Sequence, residues 1–419
     1  MRKIKLGDVL KVKRGCSLSG DYYSTEGRLV RLTLGNFKYP EGGFKHNTSK
    51  ENIYYVGEIK NEFILQKGDI ITPLTEQVRG LLGSTATIPE SNIFIQSGDI
   101  GLVECGPDIH KRFAYYLVSS PVVKKQLDAG SQQTKIRHTS PFAIENCVAF
   151  IPDLEEQKRI ASILDAINSK ILLNEKINDN LAQQIKLLYD RWFNQFDFPN
   201  EEGKPYKSSG GEMQVSSKYP CAFPTGWKIE SIFKNSLSEI IQPGVIRFSI
   251  KNYLATSDVN GTDLSNGTPI EYETRESRAN MQPTVNSVWF AKMKNSVKHI
   301  YLNQQMQRFI DSSILSTGFC GLQCTNNSFE YLASFIEHSY FETLKDVLAH
   351  GATQEAVNND DLANICLLIP TDEVLLLYHN HTQPLFAQIS KNMVENQELT
   401  KLRDWLLPLL MNGQATISD

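Results

Sequence analysis

No stretch of this 419-residue chain is apolar enough to enter a bilayer. The longest greasy run, Trp405 to Met411, is interrupted by Pro408 and falls far short of the ~20 residues a spanning helix needs. Cysteine is scarce, 7 residues scattered and odd in number, which excludes a small disulfide scaffold and points to a reducing compartment. Glycine, 26 of 419, is too sparse for a collagen-like repeat. The opening Met1 to Asp8 lacks the apolar core of a signal peptide, so a soluble cytoplasmic protein is expected. What remains is 41% hydrophobic and 21% charged, ordinary globular composition with length for two to three domains.

The motifs of several enzyme classes are missing too. No Gly-x4-Gly-Lys-Ser/Thr phosphate cradle occurs, and Gly203-Lys204 is followed by Pro205, which supplies neither backbone donor nor hydroxyl. There is no Asp/Asn-Pro-Pro-aromatic tetrad for amino methylation and no Gly-x-Ser-x-Gly elbow. Glu58-Ile-Lys60 lacks the Pro-Asp a nuclease metal site needs before it. Cys320-Gly-Leu-Gln-Cys324 has no second Cys/His pair at finger spacing, and four ligands are required, so no metal site is expected. His379-Asn-His381 points its imidazoles to different faces, as solvated histidines do. No catalytic residues and no cofactor are expected on this chain.

Net charge is −4, yet it is unevenly spread. Residues 1–150 hold 20 Lys+Arg against 15 Asp+Glu, whereas 151–212 hold 8 against 11, 213–370 hold 12 against 15, and 371–419 hold 3 against 6. Only the first segment is basic, so a nucleic-acid surface would have to be a local patch.

The most informative feature is an internal repeat. A shift of 218 residues superimposes Asn146 on Asn364, Ile151 on Ile369, Pro152 on Pro370 and Glu155 on Glu373. It continues with Ile171 on Ile389, Asn174 on Asn392, Asn178 on Asn396, Leu181 on Leu399 and Leu188 on Leu406, and pairs Ile167 with Leu385. Upstream, Gly130-Ser-Gln-Gln133 faces Gly351-Ala-Thr-Gln354 after a three-residue loss in the second copy. The chain is a duplicated unit, each copy a globular part followed by a helix.

In the globular parts, short apolar runs punctuated by Gly, Pro and Asn read as strands: Phe63 to Ile71, Ile100 to Val103, Cys147 to Ile151, Ser287 to Met293 and Ile365 to Ile369. Helical stretches follow at Phe113 to Leu127 and Phe329 to His350. Each globular part is expected to be of α/β type in an α+β chain. From Leu154 the period changes: Ile160, Ile163, Leu164, Ile167, Ile171, Ile177, Leu181, Ile185 and Leu188 recur at three- and four-residue steps without Gly or Pro until Pro199. A second long helix runs from about Leu385 through Ile389, Met393, Leu399, Leu402 and Leu406 to Met411, stopped by Gly413. Helices of ~40 residues are ~60 Å long, more than one compact domain buries, so the two should pack together. Asn174, Asn178, Asn392 and Asn396 fall within their apolar faces, where an Asn fixes register at a cost in stability. The expected layout is globular residues 1–152, a helix over 153–198, a polar linker over 199–224, globular residues 225–370 and a helix over 371–413.

The two-copy layout, the helix introduced by Ile151-Pro-Asp-Leu-Glu-Glu-Gln-Lys-Arg-Ile160, the opening Phe223-Pro-Thr-Gly-Trp-Lys228 and the ending Leu399-Thr-Lys-Leu-Arg-Asp-Trp-Leu-Leu-Pro-Leu-Leu-Met-Asn-Gly-Gln414 resemble the specificity subunit of type I restriction-modification systems. The second copy departs from the pattern, with Pro370-Thr-Asp-Glu-Val where the first has Pro152-Asp-Leu-Glu-Glu-Gln. The resemblance implies two target-recognition domains held apart by an antiparallel coiled-coil rod, each reading half of a split, asymmetric double-stranded DNA site. It implies partners as well: two methylation subunits carrying S-adenosylmethionine, and a motor-nuclease subunit that uses ATP and Mg. No membrane partner is implied.

Base edges call for Arg, Lys, Gln or Asn, and phosphates for Lys, Arg and backbone amides. In the first copy the candidates are Thr72, Gln77, Arg79 and Ser84, with Gln132, Gln133, Lys135, Arg137 and His138 in the loop before the last strand. In the second they are Lys292, Lys294, Asn295 and Lys298, with Thr353 and Gln354. For helix pairing they are Ile167, Ile171, Asn174, Asn178, Leu181 and Leu188 against Ile389, Asn392, Asn396, Leu399 and Leu406. The rival reading is a scaffold or silent decoy that acts through its helices alone.

Overall fold

The computed structural model describes residues 1–39, 42–130, 137–325, 327–352 and 354–415. The chain forms two compact units, Met1–Ser169 with Leu399–Asp419, and Lys170–Glu398. Each contains one globular copy and a portion of both long helices. The physical reason lies in burial: Ile160, Ala161, Leu164, Leu410 and Met411 belong to the first copy's core, and Ile185, Tyr189, Val374, Tyr378 and Phe386 to the second's.

In the first copy Arg2–Lys5 pairs antiparallel with Val148–Ile151, bringing the chain's start beside the globular part's last strand. The central sheet runs Leu10–Arg14, Ile100–Cys105, Ile70–Pro73, Ala86–Thr87, all antiparallel. Ile70, Val103 and Val12 pack with Phe113 and Leu117. The helix expected over Phe113 to Leu127 is two, Lys111–Val118 and Pro121–Gly130. Pro121 lacks the N–H that would continue the first.

The second copy repeats this plan. Lys228–Ser231 pairs antiparallel with Cys366–Ile369, and the sheet runs Ser238–Ile240, Phe319–Cys324, Ser287–Ala291, His299–Leu302, again all antiparallel. The stretch Phe329 to His350 is likewise two helices, Phe329–Glu337 and Ser339–Leu348. His338 stands between them, and its Nδ1 accepts the Tyr340 N–H at 3.2 Å. The 218-residue shift carries the first residue of Lys111–Val118 onto that of Phe329–Glu337 and the whole of Val148–Ile151 onto Cys366–Ile369.

The first long helix spans Leu154–Tyr189 and ends in a π turn, Asp190–Asn194, that buries Trp192 and Phe193. The second spans Asp372–Met411. It begins well before Leu385 because Pro384 lies inside it without ending it. Its first residue is the shifted counterpart of Leu154. Ile177, placed on the apolar face from its spacing, is instead exposed. The expected linker is folded: Met213–Ser216 and Tyr219–Pro224 form a hairpin, and Phe198 stacks on Tyr206 and Trp227 with ring centroids 4.7 and 5.4 Å apart. Its polar composition reflects turns, and its few aromatics carry the packing.

Candidate nucleic-acid interface

In each copy the structure brings together two loops that lie far apart in sequence. In the first, Thr75–Glu76 and Arg137–His138 form an antiparallel ladder with Arg137 opposite Glu76. In the second, Met293 bridges Ala356, the Val357 N–H donates to Lys292 O at 3.0 Å and the Lys294 N–H to Glu355 O at 3.0 Å. The loop after the third sheet strand and the loop before the last strand are thus adjacent twice over.

Carboxylates and a lysine from the second helix of each copy hold these loops in shape. Glu76, 2% exposed, accepts the Gly80 and Leu82 N–H groups at 3.0 and 2.9 Å and pairs with Arg137 at 2.9 Å. Arg137 reaches Asp128 at 2.6 Å, and Arg79 reaches the same carboxylate at 2.9 Å. Hydrogen bonds from Arg79 and then Arg137 lower the Asp128 pKa to about 2. Beneath the loop Lys124 donates to Gly80 O at 3.2 Å and Ser84 Oγ at 3.1 Å, and burial pulls its pKa down. In the second copy Lys345, fully buried, donates to Ser296 O at 3.0 Å, and Asp346 accepts the Asn295 N–H at 3.0 Å. Asn295 sits at φ 54°, a left-handed turn conformation that Asn tolerates. Each loop is therefore preorganised from below by the second helix of its copy.

The candidates divide on this geometry. Gln77, Arg79, His138, Asn295 and Gln354 are exposed. Lys292, Lys294 and Lys298 are half-buried; Lys294 pairs with Glu355 at 2.8 Å and Lys298 donates to Thr256 O at 2.5 Å. Thr72 and Ser84 are corrected: both side chains are buried, Thr72 within the sheet and Ser84 under Lys124, so neither can reach a ligand. Arg137 is corrected in role, because its side chain is 14% exposed and tied to two carboxylates. Gln132, Gln133, Lys135 and Thr353 lie outside the described residues. Reasoning from the sequence missed Glu76, Asp128, Lys124 and Lys345, whose only signal was a charged residue near an apolar segment.

Within the second unit the two long helices run antiparallel, joined by their asparagines. Asn174 Nδ2 donates to Asn396 Oδ1 at 2.9 Å, and Asn392 Nδ2 donates to Asn178 Oδ1 at 2.8 Å. Asn396 Nδ2 donates to Ile171 O at 3.3 Å and Asn178 Nδ2 to Ile389 O at 3.5 Å. The 218-residue shift interchanges the members of each set, so the clasp has local twofold symmetry. Glu395 adds an asymmetric contact, accepting from Asn174 at 2.7 Å and pairing with Lys170 at 3.2 Å. Leu188 and Ile389 pack on the second copy's core, Leu406 on the first's. Ile167 is buried, and Leu181 and Leu399 are half-buried. In the first unit Arg403 donates to Asn168 Oδ1 at 3.3 Å.

Gln157, from the run that introduces the first long helix, is an internal staple. It is 1% exposed, accepts the His110 N–H at 2.8 Å, and donates to Pro152 O at 3.0 Å and Asp108 O at 3.3 Å. The shift places Leu375 at its position, so the second copy lacks this staple.

Residues 1–183 match the family model described as the type I restriction modification DNA specificity domain. The chain is 22% identical over 328 residues to the type I restriction enzyme HindI specificity subunit of Haemophilus influenzae, covering 63% of this chain and 68% of that protein. It is 24% identical over 329 residues to the MjaIX specificity subunit of Methanocaldococcus jannaschii, covering 73% and 69%. The fold is similar to that of the type I restriction-modification S subunit from M. genitalium, at a TM-score of 0.53 and 12% identity over 100% of this chain and 96% of that one. With its internal duplication and these relatives, the chain is similar to the specificity subunits of type I restriction-modification systems, and its residues 1–183 match their DNA specificity domain.

Proposed function

We propose that each globular copy reads one half of a bipartite, asymmetric DNA site, and that the long helices dock the methylation subunits that modify it. The observation that carries this reading is the twice-built pair of preorganised loops, each carrying exposed or half-exposed Arg, Lys, Gln or Asn after the third strand of a matching sheet. In the first copy the contacting groups are Gln77, Arg79 and His138. In the second they are Lys292, Lys294, Asn295, Lys298 and Gln354. Two sites with different side chains read two different half-sequences, which makes the whole target asymmetric.

On this reading the chain is a non-catalytic reader. S-adenosylmethionine is held by two methylation subunits, and ATP and Mg by a motor-nuclease subunit where one is present. The test is footprinting of the chain assembled with its methylation subunits on DNA carrying its target. Two protected segments flanking an unspecified spacer are expected, with affinity falling steeply as salt rises. A single protected segment, or sequence-independent protection, would contradict the two-reader arrangement.

A further inference from the structure

The duplication gives one framework position opposite charge in the two copies. In the first, Arg112 opens the helix Lys111–Val118 and lays its guanidinium against Asp165 of the first long helix. Arg112 Nε is 3.0 Å from both carboxylate oxygens, Nη2 donates to the same group, and Nη1 donates to Thr87 Oγ1 at 3.1 Å. Tyr116 donates to Asp165 at 2.6 Å, and the guanidinium lies 4.5 Å from the Tyr115 ring centroid. The first copy fills this place with its own cation.

The 218-residue shift carries Arg112 onto Glu330, Asp165 onto Gln383, Ala161 onto His379 and Gly68 onto Asn286. The frameworks correspond, since the helices that carry these residues begin at shifted positions, and Gly68 and Asn286 both take positive φ, 87° and 56°. A cation facing a carboxylate has become a carboxylate facing amides. In the second copy the place is a cavity of about 350 Å³, lined by Asn286, Gln304, Gln305, Glu330, His379 and Gln383 among others. No Lys or Arg is among its lining residues. Glu330 is 3% exposed, and one of its oxygens meets His379 Nδ1 at 2.8 Å. Burial pushes its carboxyl above the usual range despite that hydrogen bond.

We infer that this cavity binds a guanidinium group supplied from outside the chain, in the place Arg112 occupies in the first copy. A guanidinium offers five N–H donors in a plane, which suits one buried carboxylate in a cavity lined by carboxamide side chains, each of which carries an acceptor oxygen; charge-assisted bonds of this kind are the strong ones. The group comes either from an arginine side chain of a partner protein or from a free guanidinium compound. The inference does not depend on which DNA the chain reads.

The test is titration of the full-length chain with N-acetyl-arginine amide, followed by calorimetry, with the neutral isostere N-acetyl-citrulline amide as control. Saturable binding of the arginine compound alone is expected, weakened at least ~10-fold by Glu330→Gln. The double variant Glu330→Arg with Gln383→Asp rebuilds the first copy's arrangement, and should keep its circular dichroism spectrum while losing the binding. No saturable binding, equal binding of the citrulline compound, or binding unaffected by Glu330→Gln would overturn the inference. Repeating the titration on the chain assembled with its methylation subunits separates the sources. A site closed in the assembly identifies a partner's arginine, and a site still open identifies a free ligand.

Discussion

Residues of similar chemistry have different tasks here, and burial separates them. Arg137 has a 14% exposed side chain and neutralises Glu76, which is 2% exposed. Arg137→Ala leaves that carboxylate buried without its partner, and is expected to cost about 3 kcal/mol in denaturant unfolding. Arg79 has a 79% exposed side chain, and its ion pair is worth little to stability. Arg79→Ala should leave unfolding unchanged while weakening specific DNA binding by ~1–2 kcal/mol in a fluorescence titration. Equal effects of the two substitutions on stability would refute the division. Thr72 shows why it was not legible from sequence. Ile70–Pro73 is buried on both faces of its strand, so no alternation warns that the threonine is inside, and a hydroxyl near a strand end reads as surface.

His299 gives a pH dependence at the same scale. It is 1% exposed and lies between Glu337 at 3.0 Å and Glu342 at 2.8 Å, with Lys345 paired to Glu342 and Tyr301 bonded to Glu337. Burial opposes its charge, but the hydrogen bonds to Glu337 and Glu342 prevail and raise its pKa. A raised histidine pKa contributes stability that is complete below the unfolded value of about 6.5 and is lost as pH rises through the folded value. The parent's stability to thermal unfolding should therefore fall from near-neutral toward alkaline pH. His299→Gln should remove that dependence, and an unaltered pH profile in the variant would contradict the assignment.

At the scale of elements, the long helices were legible because their apolar residues recur at three- and four-residue steps over many turns. The breaks in the shorter helices were less so: Pro121 marks one plainly, whereas His338 ends the other through a side-chain cap that composition does not announce. The asparagine clasp is the element-scale device that sets register. Replacing Asn174, Asn178, Asn392 and Asn396 together by Leu exchanges both polar pairs for apolar contact, and is expected to hold or raise the melting temperature while loosening alignment. Spin labels at Lys170 and Glu395 would report a single narrow distance in the parent and a broadened distribution in the variant. An unchanged distribution with a lower melting temperature would show that the clasp supplies stability instead of register.

At the scale of the whole molecule, the duplication was visible from nine identities at one offset, and the structure repeats it in the terminal strand pair, the four-stranded sheet, the helix pair and the long helix. Adjacency of the two loops in each copy was not visible. It depends on a ladder between Thr75–Glu76 and Arg137–His138, residues some sixty apart whose pairing leaves no local pattern. The folded hairpin in the expected linker was hidden for a related reason, since Gly, Ser and Pro mark turns whether or not the chain between them packs.

The central claim is that this chain directs methylation to one split DNA sequence. Its most direct test is a single-molecule map of methylated bases across the host genome, with and without the gene. The account predicts that deletion removes methylation from one bipartite, asymmetric motif and from no other. An identical map in both strains, with the methylation subunits expressed, would contradict it.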